Sequence, residues 1–365
     1  MQNPEMKNVN RLAWLDLAKG FAMLLVLIGH CMRDEMRQVS PVLDFLYRAF
    51  YIFHMSYFFW LSGVSYRLSR DKGRPPLQIA ARRLKKQFPP WMIYTLFIFA
   101  VFSLAISIPA LRNILEPAGY SAMSFPDYLL AAFQANNPWA YHLWFLYVLM
   151  LLMILLCLAD AATSGRHTTV VCAGLTMLGL AALAVQSLLS LGEWWRLFNY
   201  LALYLPMVCL GVLMAKWQLP DGIVWAWGVA GLAYIAVRVM FFSGFSGNSL
   251  RIDDPAGRFL IYLLADLLLP GVMMALNRLF DRGWLIRTRV GKRAFRFLGR
   301  ESMIIYLVHQ PFCCAFLGLI LYERLRLPAL PVMAVCMVAS IAVSWVVSAL
   351  LNRIKVRFSK TKAVA

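Results

Sequence analysis

Apolar stretches long enough to cross a lipid bilayer recur along almost the whole chain, and short polar segments separate them. Crossing the hydrocarbon core takes about 20 apolar residues of helix. The pattern predicts about ten membrane-spanning helices and therefore an all-α, polytopic membrane bundle. The predicted spans are residues 12–32, 43–67, 88–110, 141–160, 168–190, 197–215, 222–243, 258–278, 301–322 and 329–351.

Composition supports this class, because 61% of the 365 residues are hydrophobic and only 15% are charged. The spans follow one another closely and leave little room for a second domain. We expect residues 1–365 to form a single transmembrane domain, with a short basic tail from about residue 353. The first apolar stretch carries Asp16 and Lys19 and is expected to stay as the first span rather than to be cleaved as a signal peptide.

Basic residues are concentrated in the second loop, the eighth loop and the tail. Cytoplasmic loops carry an excess of Lys and Arg, so an even number of spans would place both termini in the cytoplasm. The net charge of +19 is then mostly a signal of topology, with anionic lipid or an anionic substrate as partner rather than nucleic acid. The expected location is the cytoplasmic (inner) membrane.

The first span contains two widely spaced polar residues, Lys19 and His30. Eleven residues are three helical turns, so both side chains lie on nearly the same face, about 16 Å apart along the axis. Asp16, three residues before Lys19, can pair with it. Ionisable groups at membrane depth are costly and usually line a cavity or pathway. This pattern predicts that the helix forms the wall of a reaction channel.

A second polar stripe lies in the ninth span, where Ser302, Tyr306 and His309 follow one another at spacings of four and three. Such spacings place all three on one helix face, which we expect to meet the first span. Hydrogen bonds between helices are the alternative explanation for these side chains. Convergence of several titratable groups favours chemistry.

The seven cysteines lie in or beside apolar runs and form no Cys-x-x-Cys pair. This distribution predicts small core residues rather than a disulfide framework or a metal site. They are Cys31, Cys157, Cys172, Cys209, Cys313, Cys314 and Cys336.

Five stretches of the chain, taken in order, resemble one known family. They are Leu15-Asp16-Leu17-Ala18-Lys19-Gly20 with His30, Phe53-His54-Met55 through Ser62-Gly63, the basic run at 81–91, His142-Leu143-Trp144-Phe145-Leu146, and Ser302-x-x-x-Tyr306-x-x-His309. Together they are similar to the integral-membrane acyltransferase 3 family, which includes O-acetyltransferases of surface glycans and fucose-4-O-acetylase-like proteins. Lys19 stands where many members have Arg.

The resemblance implies a membrane-embedded O-acyltransferase that modifies carbohydrate of the cell envelope. The acyl group, acetyl in the expected case, would pass from cytoplasmic acyl-CoA to a hydroxyl of a carbohydrate or glycolipid acceptor. No permanently bound cofactor is expected. His30 is the expected general base, because an imidazole titrates near neutral pH. Asp16 and Lys19 would position or charge-balance the thioester, and Ser302, Tyr306 and His309 complete the expected catalytic set.

Two further groups of residues carry expected binding roles. The basic residues Arg82, Arg83, Lys85 and Lys86 could attract the phosphates of coenzyme A, although anchoring to lipid would explain them equally well. For the acceptor, the expected residues are His54, Ser62, His142 and Trp144. An interfacial aromatic belt is the alternative for His142 and Trp144.

Two other functional classes remain open at this stage. A proton-coupled transporter would also use intramembrane Asp, His and Arg side chains, although it often shows repeat symmetry that this chain lacks. A structural membrane subunit would not need a convergent set of titratable groups. Assembly into a homo-oligomer is also left open by the sequence.

Overall fold

The computed structural model describes the backbone of residues 4–117, 119–189, 195–245 and 249–364. Side chains are described for residues 13–117, 119–189, 195–245, 249–351 and 353. Across this part of the chain the structure is helical. The only β-type pairing found there is one isolated bridge between Ser243 and Leu250. The predicted all-α class is therefore confirmed.

Fifteen α-helical segments follow one another through the described residues. They are α1 (Pro4–Cys31), α2 (Asp34–Val39), α3 (Pro41–Arg70), α4 (Pro76–Ser107), α5 (Pro109–Leu115), α6 (Phe125–Phe133), α7 (Trp144–Ala162), α8 (Thr168–Leu189), α9 (Arg196–Met214), α10 (Asp221–Val237), α11 (Pro255–Asp281), α12 (Arg289–Arg300), α13 (Ser302–Val308), α14 (Leu317–Leu319) and α15 (Ala329–Val364). A 3₁₀ turn at Tyr141–Leu143 precedes α7, and π-helical segments occupy Arg238–Phe242, His309–Phe316 and Ile320–Arg324.

Nine helical stretches among the described residues are long and apolar enough to cross a membrane, which makes this a multi-pass membrane protein. They are Ala13–Cys31, Pro76–Ser107, Tyr141–Ala162, Thr168–Leu189, Arg196–Met214, Asp221–Phe242, Pro255–Asp281, Ser302–Arg324 and Ala329–Leu351. The predicted span at 43–67 lies in α3 and is not among the nine. Its hydropathy is lowered by Asp44 and Arg48 and by several serine, tyrosine and histidine side chains. The 30 residues of α3 are nevertheless enough to cross a bilayer.

The start of the third predicted span differs from the structure. We expected it at residue 88, after a basic loop, but α4 begins at Pro76 and continues through Pro89 and Pro90. Proline suits the first turn of a helix, where its missing N–H has no partner to lose. The basic run at 82–86 therefore lies on a helix and not in a loop.

The chain divides into two compact units. Unit 1 comprises Met1–His54 and Leu276–Ala365, and unit 2 comprises Met55–Ala275. The helices α3 and α11 each continue from one unit into the other. The single domain expected from the sequence stays a prediction. Its basic tail begins inside α15, whose backbone is helical to Val364.

In unit 1, two glycines allow α1 and α12 to pack backbone to backbone. A Cβ on Gly20 would lie 2.0 Å from the carbonyl oxygen of Phe295, and a Cβ on Gly299 would lie 1.9 Å from that of Asp16. Any larger side chain would force the helices apart. This contact fixes the end of α1 that carries Asp16 and Lys19 against α12.

In unit 2, the same device joins α3 to α9. A Cβ on Gly63 would lie 2.0 Å from the carbonyl oxygen of Val208. The segment between α5 and α7 packs its aromatic side chains inward: the Tyr128 hydroxyl donates to the Thr95 carbonyl at 2.8 Å, and Trp139 Nε1 donates to the Ser121 carbonyl at 3.0 Å. This packing holds the turn that leads into α7.

Candidate active site

Two histidines from distant parts of the sequence meet inside unit 1. His30 lies in the last turn of α1, and His309 directly follows α13. Their ring centroids are 4.9 Å apart at an interplanar angle of 62°. His309 is fully buried, and His30 is partly buried. The expectation that the polar face of the ninth span meets the first span is confirmed for His309.

The ninth span is not the continuous α-helix that the sequence predicts. Gln310 has φ −119° and ψ 148°, which interrupts the helix directly after His309. Pro311 explains the break, because the residue before a proline is driven out of the α-helical region. The histidine therefore lies at the end of a short helix, where backbone carbonyls of the preceding turn are open to side chains.

His309 uses those carbonyls to orient its ring. Its Nδ1 lies 2.7 Å from the carbonyl oxygen of Tyr306 and 3.2 Å from that of Ile305. A carbonyl oxygen can only accept, so Nδ1 carries the proton. In a neutral ring, Nε2 then has the lone pair that a proton acceptor needs. The backbone thus selects the tautomer of this imidazole.

Tyr51 links His30 to a third histidine, His54. The Tyr51 hydroxyl lies 3.4 Å from Nδ1 of His30, and the Tyr51 ring packs at 4.9 Å from that of His54. Nδ1 of His54 donates to the carbonyl of Phe50. Tyr51 is not among the residues predicted from the sequence, although its position three residues before His54 on α3 places both on one helix face.

Five aromatic or imidazole side chains therefore form what we call the histidine cluster: His30, Tyr51, His54, Tyr306 and His309. Tyr306 joins it through its ring, 5.7 Å from that of His309. Two imidazolium rings at the spacing of His30 and His309 would repel each other, so the arrangement favours at least one neutral ring. A neutral imidazole can accept a proton from a hydroxyl.

The other predicted residues of the first and ninth spans lie along the same helices. Asp16 forms an ion pair with Arg300 of α12, with Oδ2 and Nε 3.3 Å apart. Arg300 is not among the partners predicted for Asp16 from the sequence. Lys19 is partly buried and lies one helical turn from Asp16, and Ser302 is partly buried one turn before Tyr306. Helix geometry places Lys19 about 16 Å along α1 from His30.

A charged cluster lies directly after His30 in the chain. The Arg37 side chain is 1% exposed and pairs with Asp34 and Asp44, both at 2.8 Å. The Arg37 guanidinium also stacks 3.6 Å from the centre of the Tyr47 ring, which in turn packs 4.2 Å from the ring of Tyr51. These contacts connect the ion pairs of the buried Arg37 to the tyrosine beside His30.

The four predicted phosphate-binding residues lie on α4 in unit 2. Arg82, Lys85 and Lys86 are exposed, whereas Arg83 is partly buried and donates from a terminal nitrogen to the carbonyl of Ser62 at 3.3 Å. The Ser62 hydroxyl donates to the carbonyl of Phe58 at 2.9 Å. Arg83 and Ser62 therefore contact each other, and Arg83 differs from its three exposed neighbours.

The remaining predicted residues also lie in unit 2: His142 is in the 3₁₀ turn before α7, and Trp144 is the first residue of α7. His142 is buried, with its ring 6.1 Å from that of Tyr94. The Trp144 ring stacks on Tyr200 at 4.1 Å and lies 5.7 Å from Tyr204. Their contacts are thus mostly aromatic packing between helices.

A second buried polar cluster in unit 2 has no counterpart among the predicted residues. The fully buried Asp160 accepts from Thr168 at 2.8 Å through Oδ1 and from the Tyr66 hydroxyl at 2.5 Å through Oδ2. Its Oδ2 also pairs with Nε of Arg70 at 3.0 Å. Both carboxylate oxygens are thus held by fixed donors.

The seven cysteines are buried and carry free thiols, as expected for small core residues. The sulfurs of Cys31 and Cys314 approach to 3.4 Å in unit 1. Among the residues that the structure describes, no group of His, Cys, Asp or Glu could hold a metal ion.

Most of the chain matches one protein-family model. A family model described as an acyltransferase domain, Acyl_transf_3, matches residues 12–349. The match covers all five stretches singled out in the sequence, and both His30 and His309 lie within it. No curated protein and no solved structure matches the chain.

Proposed function

The chain belongs to the acyltransferase 3 family of membrane acyltransferases, and we propose that it is an O-acyltransferase that uses acyl-CoA, acetyl-CoA in the expected case, as its donor. The acceptor is a hydroxyl of a carbohydrate or glycolipid. The observation that carries the proposal is the approach of His30 and His309 to 4.9 Å inside an acyltransferase domain.

In the proposed reaction, His30 is the general base. Its imidazole takes the proton of the acceptor hydroxyl while the oxygen attacks the thioester carbonyl carbon. A C–O bond forms, the C–S bond breaks, and the proton ends on the departing thiolate, which leaves as the free thiol of coenzyme A. Positioned base catalysis typically contributes about 10²–10⁴-fold. His309, Tyr306 and Ser302 orient the base and the acyl group.

The donor approaches along α1 in this proposal. We place the protein in the cytoplasmic membrane with Asp16 and Lys19 toward the cytoplasm and His30 toward the opposite side. Lys19 and the Asp16–Arg300 pair position the thioester end. On α4, Arg82, Arg83, Lys85 and Lys86 attract the coenzyme A phosphates, which the exposure of three of them supports.

The acceptor is proposed to meet the donor at the histidine cluster. His54 belongs to that cluster through Tyr51, which supports a role near the acceptor hydroxyl. Ser62, His142 and Trp144 are the further proposed acceptor residues. Ser62 donates to the carbonyl of Phe58 and Trp144 stacks on Tyr200, so both side chains are held in place within unit 2.

The experiment that tests the proposal is a transfer assay with purified protein in proteoliposomes. Acetyl-CoA is supplied with a panel of sugars and glycolipids. Release of coenzyme A is followed with a thiol reagent, and the masses of the acceptors are measured by mass spectrometry. We expect thiol release together with an acceptor mass gain of one acyl group. The matched control is His30→Ala, reconstituted at the same density.

Equal thiol release by the wild-type and His30→Ala proteins would overturn the assignment of the base. Thiol release without a modified acceptor would indicate thioester hydrolysis and overturn O-acyl transfer to this acceptor class. Uptake of an acceptor into the proteoliposomes without acylation would favour the alternative function of a proton-coupled transporter.

A further inference from the structure

The helix α12 carries its basic residues on one side. Arg289, Arg293, Arg296 and Arg300 follow one another at spacings of four, three and four, which places them in one line along the helix. We call this line the basic stripe. Arg289, Arg293 and Arg300 are exposed, and Arg296 is partly buried. Gly299, the residue before Arg300, packs against the Asp16 carbonyl of α1.

An open apolar groove runs beside this stripe within unit 1. Phe297 of α12 forms one wall, and four residues of α15 form the other: Val338, Ile341, Ala342 and Trp345. Its volume is about 440 Å³, and all five residues that line it are apolar. Phe297 lies four residues after Arg293 and three before Arg300, so the groove and the charges share an edge of α12.

The two features together fit one kind of molecule. The α15 wall of the groove belongs to a stretch that is apolar enough to cross a membrane, so a hydrocarbon chain is its natural occupant. The guanidinium groups along the edge match a phosphate, which arginine binds through paired N–H donors. Basic amphipathic helices beside membrane spans are typical sites for anionic lipid headgroups.

We propose that α12 and α15 bind one anionic phospholipid, with an acyl chain in the groove and the headgroup phosphate at Arg293 and Arg296. Nε of Arg296 is buried and has no hydrogen-bond partner among the described residues, which supports a ligand there. Arg300 also pairs with Asp16, so its guanidinium is shared. Acetyl-CoA carries phosphates but has no long hydrocarbon chain for the groove, and the groove therefore favours the lipid.

The proposal is tested by native mass spectrometry of the full chain released from nanodiscs. One set contains phosphatidylglycerol and the other phosphatidylcholine with identical acyl chains. We expect one retained phosphatidylglycerol and no retained phosphatidylcholine.

Arg293→Gln should weaken retention of phosphatidylglycerol about fivefold, since a basic residue near the membrane surface contributes about 1 kcal/mol toward an anionic lipid. Arg251→Gln removes the same charge from an exposed loop residue of unit 2 and should change nothing.

A second pair of variants tests the groove itself. Ala342→Trp fills it and should reduce retention of phosphatidylglycerol, whereas Ala334→Trp changes an equally exposed alanine of α15 outside the groove and should not. Equal retention of the two lipids, or unchanged retention in both Arg293→Gln and Ala342→Trp, would overturn the proposal. Displacement of the lipid by added acetyl-CoA would also overturn it and assign the stripe to nucleotide phosphates.

Discussion

The histidine cluster of unit 1 and the Asp160 cluster of unit 2 both contain buried polar side chains, yet their contacts differ in kind. Each carboxylate oxygen of Asp160 is held by a fixed donor at 3.0 Å or less. In the histidine cluster, His30 meets the Tyr51 hydroxyl at 3.4 Å and otherwise makes ring contacts with neighbouring aromatic and imidazole groups. Burial alone therefore does not distinguish a reactive group from a structural one.

The physical difference lies in what each group can still do. A carboxylate whose lone pairs are committed to Arg70, Tyr66 and Thr168 is stabilised in place and offers little to a substrate. An imidazole held by ring packing and one long hydrogen bond can still exchange a proton. The contacts are therefore in keeping with the proposed chemistry at His30, and for Asp160 they indicate structural stabilisation.

The largest effect is expected for His30→Ala, which removes the proposed base. Acyl transfer should fall by about 10²–10⁴-fold, the usual contribution of a positioned base, while the thermal unfolding midpoint stays near that of the wild type. Both quantities are measured on the same purified preparation. Near-normal turnover would take His30 out of the mechanism.

Asp160→Ala should show the reverse pattern. It leaves Arg70 without its buried counter-charge, and loss of one partner of a buried pair costs about 3–5 kcal/mol in the free energy of unfolding. Denaturant unfolding in detergent measures this loss, and turnover per folded molecule should stay close to that of the wild type. A stable but inactive variant would show that the two clusters do not divide the roles as assigned.

His309→Ala and Tyr306→Phe test whether the two ends of the chain act together. Each should impair transfer, because the first removes the imidazole beside His30 and the second alters its neighbour. The double variant His30→Ala with His309→Ala should cost little more than the worse single change, as expected for groups that act as one unit. If the double variant instead loses activity by the product of the two single losses, the two groups act independently. The polar residues of the ninth span would then have a role in helix packing.

The smallest effect is expected for Tyr51→Phe, which keeps the ring and removes the hydroxyl near His30. A hydrogen bond of this kind contributes about 0.5–1.5 kcal/mol, so kcat should fall by roughly 2–10-fold with KM unchanged. As a positioning residue, Tyr51 should also shift the pH profile of kcat. Tyr47→Phe removes a hydroxyl one helical turn earlier and serves as the control, in which the profile should not move.

Local patterns in the sequence predicted much of the fold. Runs of apolar residues predicted all nine membrane-length helices found among the described residues. This worked because the length and hydropathy of a span are properties of adjacent residues. Helical spacing also placed Tyr306 and His309 together, since their rings lie within one turn. The order of five short stretches was enough to indicate the family that the match over residues 12–349 shows.

Tertiary structure alone decided what surrounds those residues. The sequence indicated that the ninth span would meet the first, but not that His30 and His309 would approach to 4.9 Å, or that Asp16 would pair with Arg300. Both contacts join residues that are distant in the sequence, and the Asp16–Arg300 pair lies beside the close packing of α1 and α12 at Gly20 and Gly299. Hydropathy and periodicity report only how a helix faces its surroundings, whereas the identity of the neighbour is set by which surfaces fit together once all helices are in place.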